Sequence, residues 1–231
     1  MGCTLLFTFR HPALASVSLA LALSCSSDHI DAFPDPDVPE VATGPDGEPY
    51  PTDHLGGRKR VGHTPGDRIP NLSFRAYRND GGAKELVTLS LSEFFDPAQK
   101  RNKVLHIQVA ATWCTICSSE LDATVTVTEQ LAQRGIRELE IVVSGATAGK
   151  GPSLVEVDSW IDRHKSNFPT AIDVGARRMT PLGIDGLGVP YDLLIDTRTM
   201  EILDSSIGAP ADVGQYTLAA LKFVEGNPPS Y

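Results

Sequence analysis

From about residue 66 onward, apolar positions recur with the periods that distinguish strands from helices. Short aliphatic or alternating runs between turn residues predict strands, whereas capped segments with apolar residues at helical spacing predict helices. The clearest turn is Asn79-Asp80-Gly81-Gly82, which separates two such runs and predicts a β-hairpin. The pattern predicts strands at 71–78, 85–89, 104–110, 139–144, 191–196 and 201–206, and helices at 91–95, 116–134, 153–165 and 210–224.

The helix at 116–134 is the element for which pattern and context disagree. Thr124-Val125-Thr126-Val127-Thr128 alternates with a period of two and by itself favours a strand. We predict a helix because the motif that opens this segment, described below, belongs at the start of one. The element order then indicates an α/β domain over 66–231, with a central mixed sheet flanked by helices and an N-terminal β-hairpin extension.

The first 24 residues have the features of a secretory signal peptide. Residues 12–23, PALASVSLALAL, form an apolar core that is shorter than the roughly 20 residues of a membrane-spanning helix. The core runs into Leu21-Ala22-Leu23-Ser24-Cys25, which resembles the lipobox of bacterial lipoproteins. That resemblance implies a mature chain that begins at a lipidated Cys25, because several acyl chains together anchor stably. The alternative is an ordinary cleaved signal peptide with an incidental cysteine.

Residues 25–65 are predicted to be the lipidated cysteine followed by a disordered, acidic, Pro/Gly-rich tether. Residues 28–53 contain eight acidic residues and no Lys or Arg, and residues 26–66 contain seven prolines and six glycines. Such a segment buries too little apolar surface to offset its chain entropy, so we expect a spacer that holds the domain off the membrane. Ser26-Ser27, in place of an aspartate directly after the cysteine, favours the outer membrane by resemblance to enterobacterial lipoproteins.

Composition excludes several classes of protein. The 231 residues carry a net charge of −9, and an acidic chain lacks the basic field that neutralises phosphates, so we expect no nucleic-acid partner. Four cysteines are too few for a disulfide-dense mini-fold. The six histidines show no metal-ligand spacing, and we predict no metal site; His106, inside a predicted core strand, is expected to be a hydrogen-bonded core residue.

Cys114 and Cys117 form a C-x-x-C motif directly after the strand at 104–110 and at the start of the next helix. In a βαβ setting this motif is a redox signature, because the spacing lets the two sulfurs bond. The helix N-terminus favours a thiolate there. We therefore expect Cys114 to be the exposed nucleophile and Cys117, one turn further on, to be the sheltered resolving thiol.

Trp113-Cys114-x-x-Cys117 resembles the active site of thioredoxin-like proteins, and the chain is most similar to the TlpA type, the tethered extracytoplasmic thiol–disulfide oxidoreductases. The likeness covers roughly residues 66–225 and implies a thioredoxin-like fold. Four further features carry it: Gly66-Asp67-x-Ile69-Pro70-Asn71-Leu72-x-Phe74, Leu89-Ser90-Leu91-x-x-Phe94, Glu120, and Gly188-Val189-Pro190 before a Leu-Leu-Ile-Asp strand.

The resemblance implies roles for individual residues. Gly188-Val189-Pro190 matches the family's cis-proline loop, which implies a cis Pro190 and a Val189 backbone beside Cys114 that pairs with substrate. Trp113 is expected to bind substrate together with Val189 and Pro190. Thioredoxins carry a buried acid six residues before the first cysteine, where this chain has Gln108. Glu120 is therefore the candidate for handling the proton of Cys117; the alternative is an exposed helix glutamate.

These observations predict a membrane-tethered thiol–disulfide oxidoreductase of the bacterial cell envelope that faces the periplasm and acts as a reductase. We expect a monomer whose partners are cysteine-containing protein substrates and a membrane or periplasmic electron donor. No cofactor is expected beyond the Cys114–Cys117 disulfide. Three alternatives are a peroxiredoxin-like thiol peroxidase, a copper-handling protein and a scaffold lipoprotein. A peroxiredoxin-like enzyme is expected to carry the motif P-x-x-x-[ST]-x-x-C, and a copper-handling protein of this fold resembles proteins with C-x-x-x-C and a later histidine. Neither pattern is present in this sequence.

Overall fold

The computed structural model describes residues 43–53, 61–79, 84–184 and 188–229. All of them lie within the compact unit Phe33–Tyr231. The predicted signal peptide at 1–24, the predicted lipidation site Cys25 and the tip of the predicted hairpin at 80–83 lie outside the described residues.

The described residues form seven strands and three α-helices in an α/β order, and the predicted fold class is confirmed. No helix among them is both long and apolar enough to cross a membrane. The strands are β1 (Ser73–Arg78), β2 (Glu85–Ser90), β3 (Val104–Ala111), β4 (Ile136–Ser144), β5 (Thr170–Ile172), β6 (Tyr191–Asp196) and β7 (Glu201–Ile207), and the helices are α1 (Thr115–Gln133), α2 (Leu154–His164) and α3 (Val213–Gly226).

Within the described residues the strands form one mixed sheet in the order β2-β1-β5-β4-β3-β6-β7. Strands β3, β4 and β5 are parallel, and β6 and β7 continue the sheet antiparallel on the other side of β3. The predicted hairpin β1–β2 is present, and it joins the sheet because β1 pairs with β5, placing Arg75 opposite Ile172. Strand β5 is not among the predicted strands, because three residues are too few to show a period.

The two faces of the sheet differ in polarity, and β3 shows this directly. Leu105, Ile107 and Val109 point to a face covered by the N-terminal segments, a 3₁₀ helix at Leu91–Phe94 and the loop before β6. Side chains alternate along a strand, so His106 and Gln108 point to the opposite face. That face carries all three described α-helices, whose apolar residues pack on both ends of β3.

Helix α1 forms as predicted despite its alternating Thr-Val run. The hydroxyl of Thr124 donates to the carbonyl of Glu120 at 3.0 Å, and that of Thr128 donates to the carbonyl of Thr124 at 2.8 Å. These bonds satisfy hydroxyls that are buried under the helix, so burial against the sheet overrides the strand propensity of the run. Helix α2 has the predicted capping box, in which Ser153 and Glu156 bond each other's backbone amides.

Residues 43–53 are packed onto the domain, so the prediction of a disordered tether over 25–65 is wrong for this segment. Tyr50 is buried, and its hydroxyl donates to the carbonyl of Ile69 at 2.7 Å. Asp46 forms ion pairs with Lys100 at 3.0 Å and Arg101 at 2.6 Å. Acidic composition suggested disorder, but one aromatic anchor and complementary basic residues near the start of β3 hold the segment in place.

Candidate active site

The two cysteines lie where a central strand passes into a helix. Strand β3 ends at Ala111, and Cys114 is the N-cap of α1, with its sulfur accepting a hydrogen bond from the amide of Cys117 at 3.1 Å. The sulfurs of Cys114 and Cys117 are joined in a disulfide, with their Cα atoms 5.3 Å apart. The predicted placement of this motif between a buried strand and a helix N-terminus is therefore what the structure shows.

The disulfide is more enclosed than the sequence suggested. Cys117 is sheltered as expected, at 1% exposure, but Cys114 is only 5% exposed, so the expectation of an exposed Cys114 is wrong for the disulfide form. The cover comes from a distant part of the chain, because the carbonyl oxygen of Val189 lies 3.9 Å from the Cys114 sulfur. Cys114 also packs in an apolar cluster with Ala110 and Leu121.

The loop that provides this cover has the geometry implied by the family resemblance. The Val189–Pro190 peptide bond is cis, and the amide of Gly208 donates to the carbonyl of Pro190 at 2.8 Å. Residues 185–187, immediately before Gly188, lie outside the described residues. The backbone of Val189 is thus held beside Cys114 from the β6–β7 side of the sheet.

Exposed apolar side chains surround the buried disulfide. Trp113 is 38% exposed, Ile116 is 56% exposed and Ile207 is 74% exposed. The indole of Trp113 donates to the hydroxyl of Ser144 at 3.1 Å, which fixes the ring beside the motif. A Cβ on Gly188 would lie 3.7 Å from Ile207, so Ile207 stands next to the cis-proline loop. Exposed apolar residues grouped around a reactive pair are typical of a protein-binding surface.

Glu120 lies one turn after Cys117 on the buried side of α1 and is 4% exposed. The alternative of an exposed helix glutamate is therefore wrong. Burial, together with the neighbouring Asp192, raises the pKa of Glu120 to about 8. Glu120 also lines a groove of about 440 Å³ between α1 and the start of α3, together with Ile116 and Asp212. A buried carboxyl group that is protonated near neutral pH and borders a groove can exchange protons.

His106 lies below α1 between two carboxylates, and all three side chains are fully buried. Its Nδ1 is 2.7 Å from Glu138 Oε2, and its Nε2 is 2.9 Å from Asp192 Oδ1. Burial lowers the pKa of His106, but the attraction of Glu138 and Asp192 outweighs it and raises the pKa to about 10. In the part of the chain that the structure describes, no group of three or more potential ligands is arranged to hold a metal ion.

The prediction that His106 is a hydrogen-bonded core residue is confirmed, but its partners Glu138 and Asp192 were not predicted. The sequence contains a signal for these partners, because Glu138 and Glu140 alternate with buried apolar residues in β4, and Asp192 directly precedes the apolar run Leu193-Leu194-Ile195 in β6. Acidic residues at two-residue spacing within a buried strand indicate a polar patch on one face of the sheet. Glu140 forms a separate site, where its carboxylate accepts from the Trp160 indole at 2.9 Å.

Three side chains near the cysteines form a hydrogen-bonded chain between α1 and α2. His164 Nδ1 is 2.6 Å from Asp122 Oδ1, and His164 Nε2 is 3.3 Å from Ser118 Oγ. The sequence Ser118, His164 and Asp122 resembles the nucleophile, base and acid of a catalytic triad. Ser118, however, lies inside α1, and its amide is bonded to the carbonyl of Cys114. We interpret this chain as a link that holds α2 against α1. Asp122 stands where the family resemblance places a proline.

The comparisons with known proteins concern the fold. No family model matches the sequence, and no curated protein matches it. Among solved structures, the chain is similar to AhpC of Enterococcus faecalis (TM-score 0.55, 15% identity, 72% of this chain and 98% of that one). It is also similar to AhpC of Mycobacterium tuberculosis (TM-score 0.51, 17% identity, 70% and 93%) and to a candidate protein disulfide isomerase of Bacteroides thetaiotaomicron (TM-score 0.50, 18% identity, 72% and 92%). The chain has a thioredoxin fold.

Proposed function

We propose that this protein is a thiol–disulfide oxidoreductase that reduces disulfides in protein substrates. One observation carries the proposal: the Cys114–Cys117 disulfide caps the first turn of α1 directly beside the backbone of a cis Val189–Pro190 loop. This arrangement combines a bond that can exchange with a strand of backbone that can hold the substrate. The thioredoxin fold supports the same reaction class, which the TlpA-type resemblance narrows to reduction.

In the proposed reaction, the Cys114 thiolate attacks one sulfur of a substrate disulfide. A mixed disulfide forms, and the other substrate sulfur leaves as a thiolate that takes a proton from water. The thiolate of Cys117 then attacks the Cys114 sulfur and releases the second substrate sulfur as a thiolate, which also takes a proton from water. The substrate gains two electrons and two protons, and the enzyme ends as the Cys114–Cys117 disulfide. An external electron donor reduces this bond for the next cycle.

Glu120 supplies the proton chemistry that the second step requires. Cys117 is buried, so its thiol needs a nearby base to become a nucleophile. Glu120 as a carboxylate accepts this proton and carries it in the disulfide form, where its pKa of about 8 keeps the group protonated at neutral pH. When the disulfide is reduced again, the proton returns to Cys117. Gln108, in the position where thioredoxins have an acid, cannot perform this transfer.

The surface around the disulfide fits an extended, partly apolar segment of a substrate protein. Trp113, Ile116 and Ile207 provide exposed apolar area on different sides of the site. The Val189 backbone beside Cys114 offers hydrogen-bonding groups to a substrate strand. We therefore assign Trp113, Val189 and Pro190 to substrate binding.

The proposal includes anchoring in the bacterial cell envelope through lipid on Cys25, with the domain facing the periplasm and acting as a monomer. The sequence motif before Cys25 and the apolar core at 12–23 support the anchor. A C-x-x-C protein outside the cytoplasm meets substrates with disulfides, because that compartment is oxidising.

Insulin reduction, with dithiothreitol as the electron source, tests the proposed function. We expect Cys114→Ser to abolish turnover, because the attacking sulfur is lost. Cys117→Ser retains this sulfur but cannot resolve the intermediate, so we expect it to accumulate a mixed disulfide with substrate. Turnover that persists in Cys114→Ser contradicts the proposal.

Two further measurements separate this reaction from its alternatives. The rate at which the reduced protein consumes hydrogen peroxide can be compared with the rate at which it reduces insulin. A faster reaction with peroxide, lost in Cys114→Ser, would favour a thiol peroxidase. A Cys114–Cys117 reduction potential of about −270 mV would support a reductase, whereas one of about −120 mV would indicate an oxidant.

A further inference from the structure

Four ionisable side chains from four elements meet between the sheet and α1. His106 comes from β3, Glu138 from β4, Asp192 from β6 and Glu120 from α1. The side chains of His106, Glu138 and Asp192 have no exposed surface, and Glu120 is 4% exposed. Ionisable groups are expensive to bury unless they are paired, so each member of this set requires a partner.

The hydrogen bonds of His106 determine its charge. One ring nitrogen is bonded to Glu138 and the other to Asp192, at 2.7 and 2.9 Å. An ionised carboxylate only accepts hydrogen bonds, so both ring nitrogens must donate, and an imidazole that donates from both nitrogens is an imidazolium. The cation lies between two anions and compensates the charge of Asp192.

The unbonded oxygens then place a proton on Glu120. Asp192 Oδ2 and Glu120 Oε1 are buried and have no hydrogen-bond donor, and the nearby charge of Asp192 raises the pKa of Glu120. Two neighbouring buried carboxylates repel unless one of them carries a proton. Because the imidazolium of His106 favours the ionised form of Asp192, this proton belongs to Glu120.

We propose that His106 is a positioning residue of the exchange reaction: its imidazolium pairs with Asp192 and offsets part of the negative charge by which Asp192 keeps the proton on Glu120 while the two cysteines are joined. The inference rests on the proposed function for its role in catalysis, since Glu120 is the group that takes the proton of Cys117. The array formed by His106, Glu138, Asp192 and Glu120 is itself a property of the disulfide form and exists without substrate.

Other polar groups near the array do not replace His106. From α3, Tyr216 places its ring 5.8 Å from that of His106, but its hydroxyl donates to Asp204 at 2.9 Å. Gln108 donates to the hydroxyl of Thr124 and also stabilises the charged form of Glu120. Asp212 lies on the wall of the groove. Among the described residues, His106 is the cation whose charge acts on Glu120.

The array predicts that two substitutions shift the pKa of Glu120 in opposite directions. Asp192→Asn removes the negative charge that holds the proton, so the pKa of Glu120 falls. His106→Gln removes the positive charge that partly offsets Asp192, so the pKa of Glu120 rises. We expect each shift to be about 1 pH unit or more, because a charge in contact with a carboxyl group moves its pKa by about 1 to 3 units.

Infrared titration of the oxidised full-length protein measures these shifts directly. The carboxyl band that Glu120→Gln removes identifies Glu120, and its loss with rising pH gives the pKa. Glu140→Gln is the matched control, since Glu140 is another buried acid on β4, with its pKa raised to about 7 by burial. Its removal should delete a separate band and leave the Glu120 titration in place.

The outcomes distinguish this inference from the proposed function. Opposite shifts in the two variants support the array even if insulin is not reduced, whereas a Glu120 titration that neither variant moves overturns it even in an active enzyme. If His106→Gln does not fold, Asp192→Asn decides, and an unchanged Glu120 pKa overturns the inference. For the role in catalysis, the pH at which mixed-disulfide resolution accelerates should move in each variant in the same direction as the pKa of Glu120. A pH profile that stays fixed overturns that role.

Discussion

Glu120 lies on α1, one turn after Cys117. Its carboxyl group has Asp192 of β6 as a neighbouring charge. Burial and this neighbouring charge raise its pKa to about 8. At neutral pH it therefore keeps a proton in the disulfide form, which an ordinary surface glutamate would have lost. The acid that we propose to serve the cysteines thus lies on the helix, while the strand position holds Gln108.

At this scale we predict that Glu120→Gln slows the resolution of the mixed disulfide by about 10²-fold at pH 7, the usual contribution of a positioned acid or base. The deficit should shrink at higher pH, because the Cys117 thiol then ionises without help. Rapid-quench measurement of substrate release gives the rate. Glu129→Gln on the exposed side of α1 is the matched control. Equal slowing in both variants, or none in Glu120→Gln, contradicts the role.

Two residues of the candidate site could be predicted from local spacing and one from the family resemblance. Cys114 and Cys117 follow from the C-x-x-C spacing at a helix start, whereas the cis Pro190 follows from the resemblance of its loop. The burial of Cys114 could not be predicted, because its cover comes from Val189, 75 residues later in the chain. Likewise, Asp192 reaches His106 only through the pairing of β3 with β6, and this register is not visible in either strand alone.

Among the elements, the segment at 43–53 changes the extent of the folded domain most. Its one buried aromatic ring, that of Tyr50, packs 5.9 Å from the ring of Phe95, and the guanidinium of Arg68 donates to the carbonyl of Asp53 at 2.6 Å. Gly44 is pressed against the backbone of Phe95, where a Cβ would lie 2.6 Å from its carbonyl oxygen. These contacts make the segment part of the core that covers the sheet.

We predict that Tyr50→Ala lowers the free energy of unfolding by about 3 kcal/mol or more, as is usual when a buried aromatic side chain is removed. Urea denaturation measures the loss. Phe223→Ala on α3 is the control, since Phe223 is 54% exposed and its removal should change stability by less than about 0.5 kcal/mol. A Tyr50→Ala protein as stable as the control would mean that the segment does not hold the domain together.

Sequence pattern was sufficient for the elements that are long or capped. Helix α2 was predicted with its capping box, and the strands β3 and β6 were predicted from their aliphatic runs. The prediction of helix α1 depended on the C-x-x-C motif at its start, because the Thr-Val run by itself indicates a strand. The run is helical because it is buried against the sheet. Strand β5 was missed, although it is the partner through which the β1–β2 hairpin joins the sheet.

For the whole molecule, the proposed anchoring would decide where the proposed reaction takes place. We predict that the expressed protein sediments with membranes and is released by detergent, and that Cys25→Ser moves it to the soluble fraction, because acyl chains supply the affinity for lipid. Cys3→Ser is the matched control, since Cys3 lies within the segment that cleavage would remove. Immunoblotting of the fractions gives the result. Membrane association that survives Cys25→Ser would exclude Cys25 as the anchor.

The packing of residues 43–53 would also limit how far the domain could move from the proposed anchor. A linker from Cys25 to Thr43 has 43 − 25 = 18 residues, whereas one from Cys25 to Gly66 would have 66 − 25 = 41 residues. At about 3.3–3.6 Å per residue, its maximal reach falls from about 140 Å to about 60 Å. Because effective concentration falls as the −3/2 power of linker length, a membrane-bound partner would meet the domain about threefold more often. The segment 43–53 packs beside the start of β3, whereas the disulfide follows the end of β3. A domain anchored as proposed could therefore turn its disulfide away from the lipid surface.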